Sequence, residues 1–371
     1  MRHILGVLVI VFAAAACKPA ADEIRIGYYA SMTGSTATWG QMGKHALDLA
    51  IEEANAQGGL LGKKIRLYTE DDQGLPEQAK AAALKLITQR KVVALIGEHA
   101  SSRCLAAAPE AQRHKVPMIS PFCTNPKVTS VGDHIFRVCY IDPFQGGAMA
   151  QFAAETLQVR RAAILRDIKN DYSVGLADFF KAAFEKRGGT IVADAAYSEG
   201  DIEFRSQLTQ IRAAQPEAIF IPGYYTDVGL IARQARELGM QIPLLGGDGW
   251  DSPKTVEIGG PAINGAFFSS SFAADDPAGM AFNQKFQAKF GKPADGLAST
   301  TYEAALVLFD AVRRAGTTEA KAVRDALAAT KNFQGVAGKL SLDGNRDAVK
   351  RIVIMKIEDG KMQFHSAVEP S

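Results

Sequence analysis

Short β-branched segments alternate with helical patterns along most of this chain, and that order restricts the possible folds more than any other sequence feature. Residues 24–29 read as a strand, and apolar residues at helical spacing follow from 46 to 54, before Gly58-Gly59. Residues 92–96 are apolar throughout, which suits a parallel sheet covered on both faces. The alternation starts again near Asp142. Two such series predict an α/β protein with two similar lobes.

The other predicted elements follow from the same patterns. Further strands are expected at residues 65–69, 117–120, 162–165, 190–196, 218–222 and 266–272, and β segments at 339–342, 351–357 and 362–365. Helices are expected from Pro76, after Ser101-Ser102, and at residues 144–157, 173–187, 204–214, 227–238, 278–290, 299–315 and 319–328. No low-complexity linker separates the two series, so the lobes are expected to be joined by several crossing strands.

The first residues form a secretory signal. A basic start is followed by an apolar stretch at residues 4–12 and by four alanines before Cys17. This segment resembles a bacterial lipoprotein signal, in which the cysteine is lipidated and becomes the new N-terminus. It departs from that pattern at Ala14, where a larger apolar residue is usual. The alternative is ordinary cleavage after Ala16 or near Ala20-Ala21; both interpretations predict an exported protein.

Composition and cysteine usage exclude several classes of function. The formal net charge is +2 with no basic block, so neither nucleic acid nor an anionic membrane surface is an expected partner. If Cys17 is lipidated, three cysteines remain, and one pair is possible. There is no CxxC and no zinc-like spacing, so we expect no metal and no cofactor. The motifs GxSxG, GxGxxG and HExxH and the P-loop are also absent, which favours a binding protein over an enzyme.

Candidate binding residues lie in the loops that follow the predicted strands. In open α/β sheets, ligands bind beyond the carboxyl ends of the strands. The first-lobe loops, at residues 31–40, 97–102 and 121–126, offer hydroxyl and backbone N–H groups suited to a carboxylate. The second-lobe loops, at 171–172, 223–225 and 246–251, offer tyrosines and a carboxylate suited to apolar surface and a cation. A zwitterion would use both sets.

Several motifs, in order, give the chain a family resemblance over essentially all of its mature length. They are Gly58-Gly59-Leu60-Leu61-Gly62-Lys63, Glu70-Asp71-Asp72, Ile119-Ser120-Pro121 with Thr124-Asn125-Pro126, Phe136-Arg137-Val138, Asp171-Tyr172-Ser173-Val174-Gly175, Pro222-Gly223-Tyr224-Tyr225 and Gly246-Gly247-Asp248-Gly249-Trp250-Asp251. The chain resembles the leucine/isoleucine/valine-binding proteins, the type I periplasmic binding proteins of ABC importers.

The resemblance implies a fold with two Rossmann-like lobes joined by three crossing strands, near Ile141-Asp142, Ser271-Phe272 and Arg351. Residues 1–16 would be the signal peptide. Residues 17–141 with 272–351 would form the first lobe, and residues 142–271 with 352–371 the second. Periplasmic binding proteins are known to close their lobes about such crossings, which act as a hinge. The resemblance implies that this protein closes around its ligand in the same way.

The resemblance also implies a ligand site. Ser101 and Thr124 would hold the ligand carboxylate. The backbone carbonyl of Phe122 and the side chain of Asp248 would take the ammonium group. Tyr172 and Tyr224 would close over the ligand, and Trp39 would line the side-chain pocket.

This sequence departs from the well-known members at three points. They carry glutamate where Asp248 stands and a small residue where Phe122 stands. Their disulfide joins positions that are Gly74 and Ala100 here, so that bridge is absent. Cys104 and Cys123 lie beside the two loops that would hold the ligand carboxylate, and they are candidates for a different bridge. Cys139 is expected on a strand as a buried thiol.

Structural interpretations of the same residues remain open. Ser101 and Ser102 suit helix N-caps, and Thr124 and Asp248 suit turns. Tyr172, Tyr224 and Trp39 also suit plain packing. Glu70-Asp71-Asp72 is expected to be a solvated strand end rather than a metal cluster.

The expected function is capture of an amino acid, branched-chain or otherwise apolar, by a monomeric, lipid-anchored protein outside the cytoplasm. Its partners would be the permease of an ABC importer and the ATPase subunits of that importer. The alternatives are a ligand-sensing receptor component of the same fold, or an importer binding protein for amides, urea or aromatic acids.

Overall fold

The computed structural model describes residues 23–370 of the 371-residue chain. The predicted signal peptide and the predicted lipidation site at Cys17 therefore lie outside the described residues.

The first part of the chain forms a five-stranded sheet in which every pairing is parallel. Its strands are β1 (Glu23–Ala30), β2 (Lys64–Asp71), β3 (Ala94–Ile96), β4 (Met118–Ser120) and β5 (Ile135–Arg137), in the order β2-β1-β3-β4-β5. The intervening helices are α1 (Ala37–Ala56), α2 (Pro76–Lys85), α3 (Ser101–Arg113) and α4 (Lys127–Ser130). Because parallel strands end at the same edge, the loops that follow β1, β3 and β4 are brought together there.

The second part repeats this arrangement. It contains strands β6 (Arg161–Asp167), β7 (Thr190–Tyr197), β8 (Ala218–Ile221), β9 (Leu244–Gly246) and β10 (Phe267–Ser270). Its helices are α5 (Asp142–Gln151), α6 (Asp171–Lys186), α7 (Arg205–Ala213), α8 (Tyr225–Glu237) and α9 (Pro253–Gly259). The strands of this part also pair in parallel.

The last hundred residues are shared between the two sheets. Helices α10 (Met280–Phe290), α11 (Gly296–Ala315) and α12 (Ala320–Ala328) come first, and α11 packs on α1 of the first lobe. A small antiparallel sheet of β11 (Phe333–Gly335), β12 (Gly338–Leu342) and β13 (Ala348–Val349) follows. Strands β14 (Ile352–Glu358) and β15 (Lys361–Val368) then complete a seven-stranded sheet in the order β15-β14-β10-β9-β8-β6-β7.

The chain passes between the two sheets three times. It leaves the first sheet after β5, returns toward α1 after β10, and leaves again between β13 and β14. The lobe boundaries predicted at residues 141, 271 and 351 fall within or next to these passages.

Four strands and two helices of the described residues escape sequence-based prediction. Strands β5, β9 and β11 contain three residues each and β13 contains two, too few to show a periodicity, and helices α4 and α9 contain only four and seven residues. Cys139, expected on a strand, lies two residues beyond β5 and is a free, buried cysteine.

The longest helices form because apolar residues recur on one face and because glycine ends them. Helix α1 buries Leu47, Ala50 and Ala54, and the Gly59 N–H then donates to the Ala54 carbonyl at 2.8 Å. Gly59 has a φ of +78°, a conformation that favours glycine. Within residues 23–370, no helix combines the length and apolarity needed to cross a membrane.

Candidate functional site

The seven residues predicted to bind a ligand are all buried between the two sheets. Their exposed fractions run from 0% to 5% for Trp39, Ser101, Phe122, Thr124, Tyr172, Tyr224 and Asp248. Four lie in loops or helix starts after first-sheet strands, and three after second-sheet strands. The topology therefore brings together groups as far apart in sequence as Trp39 and Asp248.

Aromatic rings from both lobes pack against Trp39. The Trp39 ring centroid lies 4.8 Å from that of Tyr224 and 5.7 Å from that of Phe122. Tyr172 stacks on Tyr224 at 5.4 Å. Tyr225, which sequence reasoning left as a neighbour only, lies 5.2 Å from Trp39. These rings form a continuous apolar wall across the lobe boundary.

The two first-lobe hydroxyls lie at the start of α3 and in the loop after β4. The Ser101 Oγ accepts a hydrogen bond from the Asn125 N–H at 3.2 Å. The Thr124 Oγ1 is buried and has no hydrogen-bond partner among the described residues. Ser101 is the first residue of α3, and its neighbour Ala100 occupies the N-cap. A free hydroxyl beside a helix N-terminus suits an anionic oxygen.

The second-lobe acid, Asp248, follows β9. Its backbone N–H donates to the Gln145 Oε1 at 2.8 Å, whereas both of its carboxylate oxygens lack a hydrogen-bond partner among the described residues. Burial, reinforced by the nearby Asp142 carboxyl, raises the pKa of Asp248 well above its ordinary value. A buried acid with two free oxygens suits a ligand group that carries positive charge.

Glycines allow the Asp248 loop to approach the tyrosines closely. The Gly249 N–H donates to the Tyr172 hydroxyl at 3.1 Å. A Cβ on Gly247 would lie 2.3 Å from that same hydroxyl, and one on Gly249 would lie 2.6 Å from the Gly223 carbonyl oxygen. The Tyr224 hydroxyl donates to the Asn170 Oδ1 at 3.2 Å. Both tyrosines are thus held by hydrogen bonds as well as by packing.

The lobes also contact each other directly beside these residues. The Asp171 N–H donates to the Ser102 Oγ at 2.9 Å, and that hydroxyl lies 3.0 Å from the Asp171 Oδ2. The Asn125 Nδ2 donates to the Asp171 carbonyl oxygen at 2.8 Å. We call these three hydrogen bonds the Asp171 contacts. Neither serine at the start of α3 caps the helix; Ser102 binds the opposite lobe.

A second set of contacts lies on the other side of the site. The Thr226 hydroxyl donates to the Ser35 carbonyl oxygen at 2.9 Å, and the Ser35 hydroxyl donates to the Glu199 Oε1 at 3.0 Å. The Trp39 Nε1 donates to the Asp251 carbonyl oxygen at 3.2 Å. Together with the Asp171 contacts, these bonds hold the two lobes in a closed arrangement.

Sequence reasoning missed Asp142 and Gln145, which connect the two halves of the site. The Asp142 N–H donates to the Thr124 carbonyl oxygen at 3.0 Å, and the Gln145 Nε2 donates to the Asp142 Oδ1 at 3.2 Å. Gln145 in turn accepts from the Asp248 N–H. Burial raises the pKa of Asp142 to about 7. No local sequence pattern could reveal this series of hydrogen bonds, because Gln145 and Asp248 are 103 residues apart.

A disulfide joins the two segments that carry Ser101 and Thr124. Cys104 in α3 and Cys123 in the loop after β4 are bonded, with a sequence separation of 19 residues. Cys123 lies between Phe122 and Thr124. The bridge therefore fixes the start of α3 relative to the loop that carries Thr124.

The acidic motif at residues 70–72 is only in part the solvated strand end expected from the sequence, since Glu70 and Asp71 are partly exposed but Asp72 is fully buried. The Asp72 Oδ1 lies 2.9 Å from the Ser31 Oγ and accepts a hydrogen bond from the Gly74 N–H at 2.9 Å. Asp71 accepts from the Met32 N–H at 2.9 Å. The expectation was wrong for Asp72 because the loop after β1 covers the end of β2. Across residues 23–370, no group of three or more His, Cys, Asp or Glu side chains is placed to hold a metal ion.

Two α/β lobes that close on a buried set of hydroxyls, aromatic rings and one carboxylate define a two-lobed ligand-binding protein. The chain belongs to the periplasmic binding protein family, whose model matches residues 23–361. This is a family of binding proteins rather than of enzymes, and its members act outside the cytoplasm.

Individual relatives match the chain over almost its whole length. The Leu/Ile/Val-binding protein homolog 3 of Brucella melitensis is 31% identical over 344 residues, 92% of this chain and 93% of that protein. The crystal structure of LivK, a leucine-binding protein from Thermotoga maritima, has 38% sequence identity and a TM-score of 0.90, and the match covers 94% of this chain and 99% of that one. LivJ from Streptococcus pneumoniae, a branched-chain amino acid transporter substrate-binding protein in complex with isoleucine, has 30% identity and a TM-score of 0.88, with the same coverage.

Proposed function

We propose that this protein captures an apolar α-amino acid, of the branched-chain type, between its two lobes and delivers it to the permease of an ABC importer. The observation that carries the proposal is the pairing of unused polar groups: the Thr124 hydroxyl in one lobe and the Asp248 carboxylate in the other lack partners among the described residues. An α-amino acid presents the complementary carboxylate and ammonium groups.

The roles of the other site residues follow from their positions. Ser101 and the N-terminus of α3 would share the ligand carboxylate with Thr124, and the Phe122 carbonyl would share the ammonium with Asp248. Trp39, Tyr172 and Tyr224 would surround the ligand side chain, because their rings form the apolar wall. The names of the relatives, which refer to leucine, isoleucine and valine, support this class of ligand.

The mode of action would be closure around the ligand. The first lobe would bind the carboxylate, and the second lobe would then bring Asp248 and the tyrosines over it. The closed form, held by the Asp171 contacts, would be the form that the permease recognises, with the ATPase subunits of the importer supplying the energy in the cytoplasm. No catalytic step is part of the proposal.

The proposed location is outside the cytoplasmic membrane, on a lipid anchor at Cys17. The basic start, the apolar stretch and the alanines before Cys17 support it. Mass spectrometry of the native N-terminus tests the anchor. A diacylated Cys17 is expected. An unmodified N-terminus at or beyond Cys17 would overturn the proposed lipid anchor.

A thermal-shift screen tests the ligand. The mature protein, freed of copurified ligand by unfolding and refolding, would be heated with leucine, isoleucine, valine, alanine, short amides, urea and aromatic acids. A ligand present at one hundred times its Kd stabilises the folded state by about 2.7 kcal/mol. We expect the branched-chain amino acids to raise Tm most. A shift with an amide or an aromatic acid but with no amino acid would overturn the ligand class.

A further inference from the structure

A buried ion cluster lies beneath the first-lobe half of the site. It consists of Asp72 at the end of β2, Glu98 after β3 and Arg103 in α3, and each is at most 2% exposed. We call these three residues the Arg103 cluster. None of them belongs to the ligand set proposed above, and burying three ionisable side chains is costly unless they are fully paired.

Glu98 holds the loop that leads into α3. Its Oε2 accepts a hydrogen bond from the His99 N–H at 2.7 Å and another from the Ala100 N–H. Its Oε1 accepts from the Ser31 N–H at 3.2 Å and from the Ser31 hydroxyl at 3.1 Å. The carboxylate therefore ties the loop after β1 to the residues directly before Ser101.

Arg103 extends these ties to a third loop. Its Nε lies 2.9 Å from the Glu98 Oε2. Its Nη2 donates to the Thr36 Oγ1 at 3.0 Å, and its Nη1 donates to the Gly74 carbonyl oxygen at 3.3 Å. Thr36 directly precedes α1, whose third residue is Trp39. One planar guanidinium thus contacts the loops that follow β1, β2 and β3.

The charges in the cluster balance. Burial alone would raise the pKa of Glu98, but the Arg103 guanidinium pulls it below its ordinary value, so Glu98 is ionised. Burial and the Glu98 charge raise the pKa of Asp72 to about 8, so Asp72 is mainly protonated at neutral pH. One cation then faces one anion.

We propose that Arg103 is a positioning residue for the ligand site: it fixes Trp39, through Thr36, relative to Ser101, through Glu98. The inference rests on the proposed function for the identity of the ligand. Arg103 itself makes no contact with the ligand in this scheme. Lysine does not replace it, because all three N–H donors of lysine lie on one compact nitrogen, whereas the planar guanidinium spreads its donors over three nitrogens that face three separate loops.

The test compares Arg103→Lys with Arg113→Lys, a matched change at the exposed end of the same helix, where the arginine pairs with Glu110. Isothermal titration with leucine should give a Kd at least tenfold weaker for Arg103→Lys and unchanged for Arg113→Lys. Thr36→Val removes one of the three contacts and should weaken binding less. The double variant, Thr36→Val with Arg103→Lys, should then lose less affinity than the product of the two single losses, since both substitutions act through one contact. Independent, multiplicative effects would overturn the Thr36 part of the proposal.

Hydrogen–deuterium exchange of the ligand-free variants provides a readout that needs no ligand. Amides at residues 31–40 and 97–103 should exchange faster in Arg103→Lys than in Arg113→Lys, with the rest of the first lobe unchanged. Should Arg103→Lys fail to fold, Thr36→Val carries the same comparison over residues 31–40. Wild-type exchange in both loops would overturn the positioning role. A wild-type protein that binds no amino acid would instead overturn the proposed function and leave the exchange result to decide the role of Arg103.

Discussion

In the proposed site, one buried side chain, that of Asp248, would determine the kind of ligand accepted. Its backbone is held by Gln145, its loop is held by Tyr172, and its carboxylate oxygens have no partner among the described residues. Removal of a carboxylate from water is costly, and the cost is recovered when a cation binds.

Asp248→Asn should therefore weaken amino acids selectively. The loss of one partner of a buried charge pair costs about 2–5 kcal/mol, so we expect leucine to bind at least about 30-fold more weakly. Binding of 4-methylpentanoate, the deaminated analogue of leucine, should weaken little or improve. Titration calorimetry with both ligands measures the difference. Equal losses for the two would contradict the assignment of Asp248 to the ammonium group.

A second buried acid affects stability instead of binding. Asp227 in α8 is 5% exposed, and burial, with Glu199 and Asp167 nearby, raises its pKa to about 8. An unfolded Asp ionises near pH 4, so between about pH 4 and pH 8 only the folded state holds this proton. The stability contributed by the protonated group is therefore lost as the pH rises through that window.

Asp227→Asn should remove this pH dependence. The variant should gain roughly 1 kcal/mol or more over wild type at pH 8, since one unit of pKa shift corresponds to about 1.4 kcal/mol, and should gain little at pH 4. Urea unfolding at both pH values measures the gain. Glu237→Gln, at the end of the same helix, is the control. A gain of equal size at pH 4 would show that ionisation of Asp227 is not its cause.

At the scale of elements, the disulfide connects α3 to the loop after β4. It closes a short loop, since the sequence separation of its cysteines is 19. The bridge differs from the one that the resemblance would set between positions 74 and 100, because it joins α3 to the loop after β4 instead of joining the loops after β2 and β3.

Replacing both cysteines by alanine should lower the free energy of unfolding by about 3 kcal/mol, because the unfolded chain is no longer restrained. Reducing agent should lower the unfolding midpoint of the wild-type protein and leave that of the double variant unchanged. If the reducing agent has no effect on the wild-type protein, the bridge is absent in solution.

The sequence predicts long elements well and short ones poorly. Helices α1 and α11 carry enough turns to show a buried face, whereas β9 has three residues and ends in Gly246. A Cβ on Gly246 would lie 2.0 Å from the Trp250 ring. The packing of the Trp250 ring against the end of β9 therefore requires a glycine, and in sequence alone a glycine indicates a loop.

The candidate site, like the fold, has one part that can be predicted from the sequence and one part that cannot. Loops at strand ends are predictable because parallel strands share one edge. Asp142 and Gln145 are not, since neither follows a strand directly and their partners lie in remote loops. The burial of Asp72 and Glu98 cannot be predicted from the sequence for a related reason: only the folded structure shows that another loop covers them.

At the scale of the whole molecule, residues beside the ligand set hold the lobes together. Ser102 adjoins Ser101, Asn125 adjoins Thr124, and Asp171 adjoins Tyr172. The proposed ligand-binding residues and the residues that join the lobes are therefore adjacent along the chain, so we expect order imposed on one set to extend to the other.

Asp171→Ala should accelerate ligand release without removing a ligand contact. A single hydrogen bond contributes about 0.5–1.5 kcal/mol, so we expect release to be about 3- to 10-fold faster. Stopped-flow tryptophan fluorescence measures the rate. The control is Asp178→Ala on the same helix, whose carboxylate pairs with Arg166 within one lobe. If Asp171→Ala and Asp178→Ala release ligand at the same rate, the hydrogen bond between the Asp171 side chain and Ser102 does not stabilise closure.

The three passages of the chain between its sheets also bear on how the protein is made. Strand β14 lies inside the second sheet, between β10 and β15, yet it comes from the last twenty residues of the chain. Until the ribosome has made β14, the second lobe lacks an inner strand and the edge of β10 is open. A nascent chain without β14 cannot complete its second lobe, and a translocon that accepts only unfolded polypeptide has that whole period in which to engage it.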